Sequence, residues 1–296
     1  MKTQSTEKKR RIKKLNRVTP GLVLTYILVI ALMLFSLLPI IYTFSTAFKP
    51  VNEILLFPPR FFVKKPTLQN FASLLTALSS STVPFTRYIF NSVMSTAGTT
   101  LISVIICVMG TYGLVVHKPK GGTIITNLVI SALMFSPYIL QIPNYLVVVK
   151  SGLYNNFLAL ILPNVAVAYN FFLLQNFMGQ IPFPLIEAAR LDGAGEIKIC
   201  ARIVSPMLRP AIATLVVLTF VRSWNDSFSP LVFISSQAKK TLPLAMTTIS
   251  GGLGVADLGR AGATMAAAFL TTLPPIIVFL CMQKQVMQTM AHSGIK

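Results

Sequence analysis

Long stretches without charge alternate along this chain with short polar intervals. Charge-free stretches cover 18–48, 88–117, 121–149, 151–186 and 261–283, and a sixth, 210–238, holds only Arg222 and Asp226. A helix needs about 20 mainly apolar residues to cross a bilayer, and each stretch is long enough. The pattern predicts six spanning helices, near 20–46, 88–116, 123–147, 154–178, 208–234 and 261–283. The stretch 66–86 is more polar and carries Pro66 and Pro84, so it reads as part of a long external loop with a short interfacial helix. The fold class is therefore all-α, a multi-pass membrane protein. One transmembrane domain covers 18–290, after a basic segment 1–17 and before a short tail 291–296.

Composition agrees. Of 296 residues, 54% are hydrophobic and 11% charged, against about 25% charged in soluble domains. The net charge of +19 suggests nucleic acid at first sight. However, eight of the 26 basic residues are Lys2, Lys8, Lys9, Arg10, Arg11, Lys13, Lys14 and Arg17. The others are scattered, without the interleaved aromatics that stack bases. A basic segment abutting an apolar run fits membrane orientation and attraction to anionic lipid. With the N-terminus inside, the inside segments hold more Lys and Arg than the outside ones, so both termini are predicted to be cytoplasmic. The first apolar run exceeds the ~7–15 residues of a signal-peptide core and no small-x-small site closes it, so it reads as an uncleaved helix.

Little here can perform covalent chemistry. Cys107, Cys200 and Cys281 make no C-x-x-C pair and read as apolar fillers. His117 and His292 have no nucleophile or ligand cluster beside them. No G-x-x-x-x-G-K-[ST] loop occurs, and the nearest imitation, Gly254 to Arg260, lacks the lysine.

The longest internal loop on the predicted cytoplasmic side is 179–205. Pro182 and Pro184 end span four, and Pro184 suits a helix start. Leu185 to Leu191 reads as a short helix, Asp192-Gly193 as a turn, and Glu196 to Val204 as a second helix ended by Pro206. Such a helix–turn–helix is either an ordinary amphipathic connector or a docking element for a partner groove.

This loop resembles the EAA loop of binding-protein-dependent permeases of ATP-driven (ABC) importers. The family pattern is E-A-A, three residues, G, nine residues, I-x-L-P. Glu187, Ala188, Ala189, Gly193, Ile203 and Pro206 meet it at the right spacing, and Ser205 stands where leucine is usual. That departure is expected to loosen one apolar contact of the second helix. Pro66-Thr67-Leu68-Gln69-Asn70-Phe71 is similar to the P-T-L-x-N-[YF] element of sugar permeases, and Asn91-Ser92 to their N-S pair. Leu273-Pro274 with 276–279 resembles their sixth span, and Gly294-Ile295-Lys296 their ending.

The resemblance, to the six-span subunit of the maltose-type carbohydrate branch, implies a division of labour. A second homologous permease pairs with this one in the bilayer of the bacterial cell membrane. ATPase subunits receive the loop, and ATP and magnesium are theirs, so this chain holds no cofactor. An extracellular solute-binding protein delivers a sugar or oligosaccharide. Glu187, Ala188, Ala189, Arg190, Asp192, Gly193, Ile203 and Pro206 would carry the coupling, with Gly193 bending the chain, the small alanines allowing close approach, and Glu187 capping a helix or pairing with a base.

Span five contains Arg222, Trp224, Asn225 and Asp226. Ionisable groups at bilayer depth face a bundle interior or a watery path. Arg222 and Asp226 are i, i+4 and can pair. Either they form a structural bridge, or Asn225 and Asp226 meet sugar hydroxyls while Trp224 offers a stacking face. Competing functions are an importer permease for another solute and a self-contained secondary transporter. The latter usually shows broken spans in two repeats, and no internal repeat is evident.

Overall fold

The structure, a computed structural model, describes residues 20–79, 83–250 and 261–293. All regular structure among them is helical. Besides the short turns Val51–Ile54 and Gln237–Lys239, the elements are α1 (Pro20–Ala47), α2 (Gln69–Ser79), α3 (Phe85–Val116), α4 (Gly122–Leu133), α5 (Gln141–Lys150), α6 (Leu158–Val165) and α7 (Ala168–Met178). They continue with α8 (Phe183–Leu191), α9 (Glu196–Met207), α10 (Arg209–Trp224), α11 (Phe228–Phe233), α12 (Leu242–Ser250) and α13 (Ala261–Ser293).

Three helices, α1, α3 and α13, are each long and apolar enough to cross a membrane unbroken. The apolar pattern predicts six continuous spans; the others are interrupted. The third stretch divides into α4 and α5, with 134–140 between them outside any helix. Pro137 explains this, because it removes a donor and pushes Ser136 away from helical geometry. In the fourth stretch α6 and α7 meet at 46°. In the fifth, the polar run Asn225-Asp226-Ser227 separates α10 from α11. The external stretch holds the helix α2, as its pattern suggests. The basic segment 1–17, the glycine-rich 251–260 and the last three residues lie outside the described residues.

Helix α10 is central, packed between α3 and α13. Helix α13 also carries α1 and α2, and α3 carries α6 and α7. The inward face of α3 is built of small polar residues: Ser92, Ser95, Thr96, Thr99, Ser103 and Thr111, all buried. Their spacing of three and four keeps them on one side of the helix, and their size lets neighbouring backbones approach. By contrast, the 18-residue apolar window of α1 has no buried residue, and Leu24, Leu34 and Phe35 stand out from it.

Asn70 and Asn91 use one chemistry. The Asn70 amide donates to the carbonyls of Ala47 and Lys49, at 2.9 and 2.7 Å, and so closes the C-terminal end of α1. The Asn91 amide donates to Ala238 and Lys240, both at 2.8 Å, while the Ser92 hydroxyl accepts from the Leu242 amide at 2.7 Å. Carbonyls at helix ends and in loops need such partners when water is excluded.

Gly262 lets α13 come close to Asn70: a β-carbon there would lie 2.2 Å from Asn70 Oδ1. Gly262→Ala is expected to displace this amide and to cost about 1–3 kcal/mol, the range for a buried group deprived of its partner. The unfolding midpoint of detergent-purified protein measures it; an unchanged midpoint would refute the bracket.

Candidate functional site

Helix α8 is amphipathic on a short scale. Ile186 and Ala189, three apart, face inward and are buried at 1% and 8% exposure. They join a core with Tyr112 and Val116 of α3, Leu174 and Met178 of α7, and Ile199 and Val204 of α9. Glu187, Ala188, Arg190 and Leu191 therefore face out. Only one of the two motif alanines is free for a partner, since Ala189 belongs to the chain's own core. Pro182 precedes the helix in extended geometry and Pro184 sits in its first turn, as the sequence suggests. The Lys118 ammonium lies over the Phe183 ring, 4.6 Å from its centre.

The turn after α8 is set by its backbone. Asp192 caps the helix, and Gly193 has φ 77°. The Gly193 amide donates to Arg190 and the Ala194 amide to Ala189, both at 3.0 Å. This pair of bonds is the Schellman closure, which takes glycine in the left-handed position. Space around Gly193 is open, so the constraint is conformational rather than steric.

Sequence reasoning missed Glu196, which ties the segment together. Its carboxylate accepts from Arg190 Nε at 2.7 Å and Nη2 at 3.2 Å across the turn. It also accepts from the Tyr112 hydroxyl at 2.5 Å, and His117 Nε2 lies 3.4 Å away. The Arg190 guanidinium and then the Tyr112 hydroxyl hold the Glu196 carboxyl down at about 2. Arg190 and Glu196 are opposite charges flanking a predicted turn, which is a readable signal. Tyr112 and His117 lie about 80 positions earlier and only the fold brings them in. Glu187 makes no hydrogen bond or ion pair, and caps no helix, among the described residues.

Helix α9 departs from expectation at its end. The sequence predicts that Pro206 stops it; instead it runs to Met207 through one widened turn, Cys200–Val204. A proline presses on the carbonyl four residues earlier and cannot donate to it, and an extra residue per turn relieves the clash. Ser205 stabilises that turn, since its amide and, at 2.8 Å, its hydroxyl both reach the Cys200 carbonyl. The serine thus adds a polar contact of its own rather than merely loosening an apolar one. Ile203 packs half-buried against the core, and α10 leaves α9 at 84°. Ile197 and Leu191 remain 79% and 89% exposed, one on each side of the Gly193 turn.

The span-five residues are not gathered into one site. Arg222 and Asp226 do not pair, because α10 ends at Trp224 and the helical i, i+4 relation ends with it. Asp226 instead accepts from the Phe228 and Ser229 amides, both at 3.0 Å, at the start of α11. Arg222 lies on an exposed face. Trp224 is buried at 3% exposure, stacked on Phe220 with centroids 5.8 Å apart. Its indole N–H donates at 2.9 Å to the Thr271 carbonyl, the group that Pro275 cannot serve. It therefore offers no free ring face at the end of α10. Asn225 is exposed and bonds back to Val221.

The opened third stretch is a feature the pattern did not single out. Met134, Phe135, Tyr138 and Ile139 are exposed along it. Non-helical backbone at membrane depth is tolerated only against protein or beside a water-filled cavity.

Comparison with known proteins follows the same lines. A model of the family described as "binding-protein-dependent transport system inner membrane component" matches residues 103–292. A protein of Bacillus subtilis named as a probable ABC transporter permease, YurM, is 34% identical over 71% of this chain and 69% of its own. The arabinooligosaccharides transport system permease protein AraQ of the same species is 26% identical over 90% of this chain and 92% of its own. In fold, the chain is similar to one from a bacterial ABC transporter involved in import of the acidic polysaccharide alginate. The TM-score is 0.76 at 23% identity, covering 88% of this chain and 95% of that one.

Because the Glu196 carboxyl is depressed in the folded state, its stabilisation is complete above the ordinary value of 4.5 and is lost only as pH falls through about 2. Glu196 itself stays ionised between pH 5 and 8. Glu196→Gln is therefore expected to lower the unfolding midpoint throughout that window. An unchanged midpoint at both pH 5 and pH 8 would contradict the assignment.

Proposed function

This chain belongs to the family of binding-protein-dependent transport system inner membrane components, and from that membership we propose that it is the six-span permease subunit of an ATP-driven importer for a sugar or oligosaccharide. The observation that carries this reading is the outward strip of Glu187, Ala188, Leu191 and Ile197 around Gly193, rooted in the core through Ile186, Ala189 and Ile199. A rigidly seated strip with exposed aliphatic groups suits docking into a cleft of an ATPase subunit. ATP and magnesium are held by that subunit, and Glu187, unpartnered among the described residues, is available to a base on it. An extracellular solute-binding protein supplies the substrate.

The apolar window of α1, which has no buried residue, calls for cover. In this reading the bilayer and a second, homologous permease provide it. Both termini lie in the cytoplasm, which places the α8–α9 segment on the ATPase side. The sugar class rests on the arabinooligosaccharide permease relative and on the Asn70 and Asn91 brackets, which give the resembling loop elements a structural reason.

The transport path follows the interrupted spans. Phe135 and Tyr138, exposed where the third span opens, offer aromatic faces to sugar rings, and Asn225 offers a polar group where the fifth one breaks. Broken helices mark substrate paths because their backbone can be exposed only to a cavity. Trp224 and Arg222 are assigned to scaffold and helix surface.

Two experiments test this. Gly193→Pro cannot hold positive φ, and Glu187→Lys reverses the free charge. Each is expected to reduce ATPase retention or transport by tenfold or more, about 1.4 kcal/mol of coupling; wild-type rates in both would sink the docking assignment. Tyr138→Ala is expected to weaken uptake of labelled oligosaccharides by up to about tenfold, the upper end of the ~0.5–1.5 kcal/mol of an aromatic stacking contact, with assembly unchanged. Unaltered uptake and sugar preference would remove the third span from the path.

A further inference from the structure

Where α10 gives way to α11, four oxygen-bearing side chains surround a cavity of about 10 Å³. Ser223 comes from the end of α10, Asp226 from the break, Ser95 from α3 and Thr241 from the turn before α12, with Leu160 and Pro230 closing the sides. That volume holds roughly one water-sized sphere, so no sugar ring enters it.

The oxygens are unevenly committed. Asp226 spends Oδ1 on two backbone amides, and Oδ2 makes no hydrogen bond among the described residues. Thr241 is 4% exposed, and its buried hydroxyl has no partner. The Ser95 hydroxyl donates to the Ser92 carbonyl at 3.2 Å, which leaves its oxygen able to accept. No described cation pairs with Asp226. Nearby Arg222 is on the exposed side of α10.

An unpaired carboxylate at bilayer depth is costly, and the negative C-terminal end of α10 adds to the field. A lone water would satisfy Thr241 but would leave the charge. A divalent cation beside one carboxylate would leave excess positive charge, and the many oxygens calcium takes, or the waters magnesium keeps, do not fit a cavity for one sphere. A set of hard oxygens carrying a single negative charge suits a small monovalent cation. We propose that this cavity binds one sodium ion between Asp226, Ser95, Ser223 and Thr241, pinning the broken fifth span to α3. The proposal rests on the six-span reading, which puts the break within the bilayer.

The test is the unfolding midpoint of the assembled, detergent-purified complex in sodium, potassium and choline chloride at equal ionic strength. A saturable rise of a few degrees is expected with sodium over choline, following the mass-action form of ligand stabilisation. Asp226→Asn should abolish the sodium-dependent part. Thr241→Val, close in shape, should also remove it and carries the test if the first variant fails to assemble. Equal midpoints in all three salts would overturn the proposal, leaving the cavity to water only. A sodium response that persists in both variants would overturn it as well. Heat stability is read without transport, so a wrong sugar assignment would leave this result standing.

Discussion

Backbone carbonyls released by breaks in apolar helices find no water inside a bilayer, and this chain answers them with side chains from neighbouring helices. Trp224 serves the Thr271 carbonyl that Pro275 leaves free. The Ser103 hydroxyl serves Val165, at 2.9 Å, where α6 ends and the chain turns into α7. Asn170 joins the same group, donating at 2.9 Å to Thr219 of α10. These bonds link α3, α6, α7, α10 and α13 in pairs. They supply partners to backbone groups where the fourth and sixth spans are disturbed and tie those spans to their neighbours.

The α8–α9 segment is built on the same economy of partners. Its inward residues are continuous with the core under α3 and α7, so the strip facing outward cannot move independently of that core. The Schellman turn fixes the angle between α8 and α9, and Glu196 clamps the turn to the end of α3. Force applied to Leu191, Ile197 or Glu187 would be passed to α3 directly and to α10 through the 84° junction. This gives the proposed coupling a mechanical route: α10 is the central helix, and its far end is the break that holds Asn225 and Asp226.

Much of this was legible from residue order. The apolar runs, the turn at Asp192-Gly193 and the proline-led start of α8 follow from local rules, because span length, left-handed turns and proline geometry are properties of short segments. Pro206 misled the reading of α9: a proline predicts a stop, and only a widened turn with a serine behind it shows how the helix continues. The pairing of Arg222 with Asp226, one of two readings of span five, failed for a related reason, since i, i+4 contact requires a helix that persists across both positions.

By itself the sequence determined an all-helical membrane chain, its punctuation, and the loop that marks its family. Those properties reside in contiguous residues. Only the tertiary structure decided which side of each helix is occupied. Ala189 is core while Ala188 is exposed, the Trp224 indole N–H is spent on a carbonyl, and Glu196 gathers partners from α3 and α8. The physical reason is that a hydrogen bond or a buried contact depends on what lies opposite. In a bundle of interrupted helices, what lies opposite comes from positions tens of residues away.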